Sequence, residues 1–186
     1  MRVVPRVTPI IRHWRADCRH TSNPQRKGIF MAEKAFQDFY PDDLGHCYGC
    51  GKNNPHGHQL KSYWDGEKSV AHFMPAPYHT AIPGFVYGGL IASLIDCHGT
   101  GTASAAAYRA AGRDMGTAPI LRFVTGSLKV DYLAPTPQGV ELELRGVPVE
   151  VKERKVSVDI TVSAQGKVCA KGQVIAVKMP DSMVPG

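Results

Sequence analysis

The chain has 186 residues, 43% of them hydrophobic, which suits one domain with a full apolar core and excludes disorder throughout. Its formal net charge of +6 belongs to the start, because residues 1–30 carry seven Lys/Arg and one Asp and leave fifteen of each sign beyond. The neutral remainder lacks the basic footprint of a nucleic-acid binder, and no apolar window reaches the length of a membrane span.

The five cysteines, at 18, 47, 50, 97 and 169, are odd in number and scattered, which argues against a disulfide framework and for a reducing cytoplasm. Residues 1–40 read as a basic leader outside the core. Pro5, Arg6, Pro9 and Arg12 break any signal-peptide run, and Met31 before "AEKAFQDFYPDD" has the look of an alternative start; a transit peptide and an ordered extension are the other readings. The folded domain is expected over 41–180, with a tail at 181–186.

Residues 41–59, "PDDLGHCYGCGKNNPHGHQ", are too dense in turn formers for regular structure. A hairpin is predicted from 59–64 and 67–74 across Asp65-Gly66, followed by a proline-rich loop, "MPAPYHTAIPG". From Gly88 to about Ala111 the chain is free of proline and rich in alanine, leucine and isoleucine, which predicts one long helix ending near Gly112. Beyond it, "ILRFVTGSLKVDYL", "VELELRGVPVEV", "RKVSVDITVSA" and "KVCAKGQVIAVKM" alternate apolar and polar residues between Pro-Thr-Pro-Gln-Gly, a bend near Lys152-Glu153, and Gln165-Gly166. These predict an α+β domain in which a curved antiparallel sheet wraps one helix. Its uncovered face and edges predict association into at least a dimer.

Helical projection puts Leu90, Ile91, Leu94 and Ile95 toward the sheet and Asp96 in a separate small-residue stripe with Ala92, Thr100 and Ala103, beside Ser93. An interface aspartate explains the stripe. Gly88 and Gly89 are poor helix formers, yet at a first turn they leave backbone N–H groups open to a ligand oxygen, suited to polarising a carbonyl. A packing point or loop hinge is the alternative for these glycines.

"GFVYGGLIASLID" resembles the His-Gly-Gly…Asp signature of hotdog-fold thioesterases of the phenylacetic-acid type. "CYGCGKNNPHGHQL" resembles the Cys-x-x-Cys-Gly…Asn-Pro-His-Gly-Leu opening of their THEM4-like branch, and "TGSLKVDYLAPTP" its strand after the helix. The resemblance implies a hotdog fold and hydrolysis of acyl-CoA at a site shared across the interface of a homodimer or homotetramer. It implies Asp96 as the acid that activates water or attacks as nucleophile, a Gly88 or Gly89 amide as the carbonyl polariser, and Thr125 as a positioning hydroxyl. Tyr87 stands where the common motif has histidine; it is kept as a substrate-side candidate with His79, a packing role being the alternative for the first and an exposed loop position for the second. Lys129, Lys152, Arg154 and Lys155 are candidates for the phosphates of the nucleotide, solvated strand ends being the default for each.

A thiol departs as thiolate with a pKa near ~8.5, so no metal or redox cofactor is required. Cys47, Cys50, His56 and His58 offer donors for zinc, but C-x₂-C-x₅-H-x-H is compressed at its second pair, and loop packing is the reading adopted. Adjacent Cys97 and His98 diverge by about 100° on a helix and do not form a nucleophile–base pair. No G-x-S-x-G elbow occurs. A hydratase or dehydratase on the same fold needs an Asp-His or His-Glu pair where this chain has Lys52 and Gly57; a non-catalytic acyl-CoA binding module is the other alternative.

Overall fold

The hairpin becomes β1 (Ser62–Asp65) and β2 (Lys68–Phe73), and the long apolar segment becomes α1 (Gly88–Ala110). The four alternating segments become β3 (Phe123–Tyr132), β4 (Leu142–Lys152), β5 (Lys155–Ala164) and β6 (Lys167–Lys178). This computed structural model describes residues 34–183. Of the leader expected over 1–40, residues 1–33 fall outside the described residues, as do residues 184–186 of the expected tail.

All strand pairs are antiparallel, in the order β1-β2-β4-β5-β6-β3. The strand that follows the helix therefore lies at the far edge beside β6, and β1 and β3 are the two edges. Alternation sets which side chains enter the core: Val156, Val158, Ile160, Val162 and Ala164 of β5 are all buried. The predicted turns shift by one residue. Asp65 pairs with Lys68, so the hairpin turns on Gly66-Glu67, and Lys152 pairs with Lys155, so the next turn is Glu153-Arg154. Gln165 and Gly166 turn as expected, with φ of 51° and 77°.

α1 lies across the sheet with Leu90, Ile91, Leu94 and Ile95 buried. A Cβ at Gly99 would come within 2.5 Å of the Val174 side chain, so this glycine lets the helix backbone meet β6. The helix ends one residue earlier than predicted. Gly112, at φ 62°, donates to Arg109 O and Arg113 N–H donates to Tyr108 O, the paired bonds of a Schellman cap.

One boundary moves. Residues 35–40, assigned to the leader from the sequence, contribute buried Ala35, Phe36, Gln37 and Tyr40, and a 3-10 turn at Phe36–Phe39 carries Gln37 to Ser62. Gln37 joins a buried polar seam. Thr102 Oγ1 donates to the His98 carbonyl, so it accepts from Ser69 Oγ; His98 Nε2–H then donates to Ser69, and Ser62 Oγ donates to His98 Nδ1. This chain satisfies a neutral imidazole. Burial lowers the His98 pKa to about 3. Among the described residues no helix is long and apolar enough to cross a membrane.

Candidate active site

Tyr87 is the N-cap of α1, extended at φ −63° and ψ 128°, with no side-chain capping bond. Its N–H donates to His79 O and Val86 N–H to Thr136 O, which fixes the entry to the helix. Among the described residues neither Gly88 N–H nor Gly89 N–H finds an acceptor, as the first turn of a helix dictates. Both N–H groups are thus unpaired among the described residues.

The glycines have different neighbours. A Cβ at Gly89 would lie 2.4 Å from the ring of Tyr87, so that ring folds over Gly89. Gly88 instead faces Tyr132, whose hydroxyl donates to Gly88 O at 2.8 Å. Sequence reasoning missed Tyr132; "VDYL" marks it only as one more residue of a strand. Beside Gly88 lies an open groove of about 330 Å³ lined by Phe85, Val86, Ile91, Tyr132 and Leu133 among others.

Asp96 is half-buried on α1, and Thr125 Oγ1 donates to its Oδ1. Burial raises the Asp96 pKa above the ordinary carboxylate value, the Thr125 bond opposes that rise, and nearby Cys47 adds to it. Thr125 reaches Asp96 at a β-bulge: Thr125 pairs with Ala176 and Ser127 with Ile175, leaving Gly126 unpaired. The sequence shows a glycine in a strand there, the one local signal of a bulge.

Seven helical residues separate Gly89 from Asp96, a rise of roughly 10 Å. The acid and the open amides of one chain therefore do not converge on one carbonyl carbon. The remaining candidates divide into groups. His79 is held by its own loop, with Nδ1 accepting from Ala76 N–H and its ring packed against Tyr78, His58 and Phe73; partial burial lowers its pKa. Lys152 and Lys155 share Glu150, at 2.6 and 3.3 Å, and Arg154 lies in the turn between them. Lys129 pairs with Asp131 at 3.2 Å. Its register partner Gln173 is four residues along β6 from Val177, the partner of Lys155, so Lys129 is separated from that group by roughly 13 Å along the strand.

The cysteines assemble differently from the donor set read in the sequence. Cys47 and Cys50 meet Cys97 of α1, and the three Sγ atoms lie within 4.8 Å of one another. His56 and His58 are not in this group; His58 packs edge-on against Tyr48 and Phe73. Cys97 and His98 diverge as projected, one to the sulfur cluster and one to the polar seam. Hydrogen bonds from Cys50 and Cys97 hold the Cys47 thiol far below the usual range, while Cys50 is pushed up to about 12 and Cys97 is raised as well.

The pattern of the Thioesterase superfamily matches residues 83–171, from just before the helix into β6. A crystal structure of a thioesterase superfamily protein from Shewanella loihica is 57% identical, covering 76% of this chain and 100% of that one, with a TM-score of 0.58. The chain belongs to the thioesterase superfamily. Within the superfamily it is also 33% identical over 89 residues to acyl-coenzyme A thioesterase THEM4 of Xenopus laevis. That match takes in 48% of this chain and 34% of the relative, so the chain spans about a third of that curated protein. The PaaI protein of the E. coli phenylacetic acid degradation operon shares the fold, at 17% identity, 66% and 81% coverage and a TM-score of 0.51. The hotdog architecture and the family are those the sequence motifs imply.

Proposed function

We propose that this protein hydrolyses acyl-CoA thioesters at a site completed by a second copy of the chain. Asp96 of one subunit activates water, or attacks the carbonyl itself, while a Gly88 or Gly89 amide of the other polarises the thioester oxygen. The carrying observation is the Asp96–Thr125 pair on a half-buried helix face, too far along α1 from the open amides for one chain to supply both. The family supplies the thioester. The name of the Xenopus relative supplies the acyl-CoA class.

The Thr125 hydroxyl occupies Oδ1 and fixes the carboxylate plane, which leaves Oδ2 for a water or for attack. Association is favoured by β3, an edge strand with unpaired backbone groups and exposed Leu128 and Tyr132. The apolar groove beside Gly88 suits an acyl chain, and the Lys152–Lys155 turn suits phosphate, with Glu150 released when phosphate binds. A thiolate leaving group asks for no strong acid, so a positioned carboxylate and an amide donor suffice for turnover.

Purified protein should release free thiol from at least one member of an acyl-CoA panel. Asp96→Asn should lose about 10²–10⁴ of kcat/KM while staying a folded oligomer. Unchanged hydrolysis in that variant removes Asp96 from the mechanism. Binding across the panel without cleavage by wild type replaces the enzyme with a binding module.

A further inference from the structure

We propose that Cys47, Cys50 and Cys97 form a site for a thiophilic cation, with Zn²⁺ as the reference ion and one coordination position left open on the Cys47 side. The site is independent of the hydrolytic reading. Its two parts come from distant sequence: a Cys-x-x-Cys turn in the 41–59 connection and a helical cysteine 50 positions after the first.

Geometry carries the assignment. Tetrahedral zinc with Zn–S of about 2.3 Å places its sulfur ligands about 3.8 Å apart. Cys47 Sγ and Cys97 Sγ are 3.7 Å apart, and Cys50 Sγ is within 4.8 Å of both, so an ion needs only a small inward shift to reach all three. Cys50 and Cys97 are buried and Cys47 is exposed, which gives a closed inner face and one approach from solvent.

The turn is already shaped. Gly51 N–H donates to Cys47 O at 2.7 Å, and Asn53 N–H to Gly45 O at 2.9 Å. A Cβ at Gly49 would lie 2.2 Å from Cys97 Sγ, so Gly49 permits the close approach of loop to helix, while one at Gly51 would lie 2.4 Å from Gly45 O, so Gly51 permits the loop's own tight fold. A preset backbone lowers the ordering cost of chelation. Among the described residues, no carboxylate or imidazole belongs to the cluster. An all-sulfur set selects Zn²⁺, Cd²⁺ or Cu⁺ over Mg²⁺ and Ca²⁺. On binding, the thiols release their protons to solvent and each sulfur forms one bond to the ion; no electron is transferred. The ion ties the 47–51 turn to α1 one residue beyond Asp96.

The test is titration of reduced, metal-free full-length protein with Cd²⁺, following thiolate-to-metal charge-transfer absorption, and with Zn²⁺ against a chromophoric chelator. One ion per chain is expected, with affinity at least tenfold weaker in Cys47→Ser and in Cys50→Ser and unchanged in Cys169→Ser, whose sulfur lies outside the cluster. Cys47 is exposed, so its serine variant tests the site without disturbing the core. Absence of stoichiometric binding by wild type overturns the proposal, and so does equal binding by Cys47→Ser and wild type.

Discussion

Gly89 lies under the Tyr87 ring, and the cost of filling that space is set by what the ring can do. The contacting atoms are the far end of an exposed side chain, so a methyl group displaces the ring rather than the backbone. Gly89→Ala also gains up to about 1 kcal/mol of helix propensity. Its Tm should therefore stay within a few degrees of wild type while kcat/KM falls, read by thermal melting beside the thiol-release assay. A large drop in Tm would instead make Gly89 a packing glycine. Both readings of this glycine were open in the sequence, where Tyr87 is adjacent but its direction is not. Thr125 is legible only through the family resemblance, because no local rule links a strand residue to an acid 29 positions earlier. Tyr132 was not legible for the same reason.

Elements were more legible than side-chain partners. The helix and four long strands follow from periodicity, and the one-residue turn shifts arise because a pair closing a hairpin belongs to the strands and not to the turn. The polar seam beneath α1 was hidden, since His98 takes partners 36 and 29 residues away on β1 and β2. That seam has a pH consequence. Burial holds the folded His98 pKa down at about 3 against the ordinary 6.5, so below pH 6.5 the unfolded chain binds the proton first. The His98 contribution is complete above that pH and is lost as pH falls toward 3, at about 1.4 kcal/mol per unit. Urea melts at pH 7 and pH 5 should differ accordingly, and His98→Gln should flatten the difference. An equal pH slope in the variant would show that His98 does not set it.

At the scale of the whole molecule, the proposed function makes a sheet ending in β3 and a helix carrying acid and amides roughly 10 Å apart into half of each of two sites. On that proposal self-association and catalysis are one property. The edge problem is legible in the sequence, but the small-residue stripe is only partly a free face, since Ala103 is buried in the core and Ser93 meets the turn at Gly49. The groups a partner brings depend on how two copies dock. The most direct measurement mixes two inactive parents, Asp96→Asn and Gly89→Val, the second placing methyl groups across the approach to the open amides. Unfolded and refolded together, they form mixed dimers in which one site carries both changes and the other carries neither. The mixture should regain roughly a quarter of wild-type thiol release, since half of the dimers then hold one intact site of two. A mixture as inactive as its parents would contradict the shared site and return the whole mechanism to a single chain.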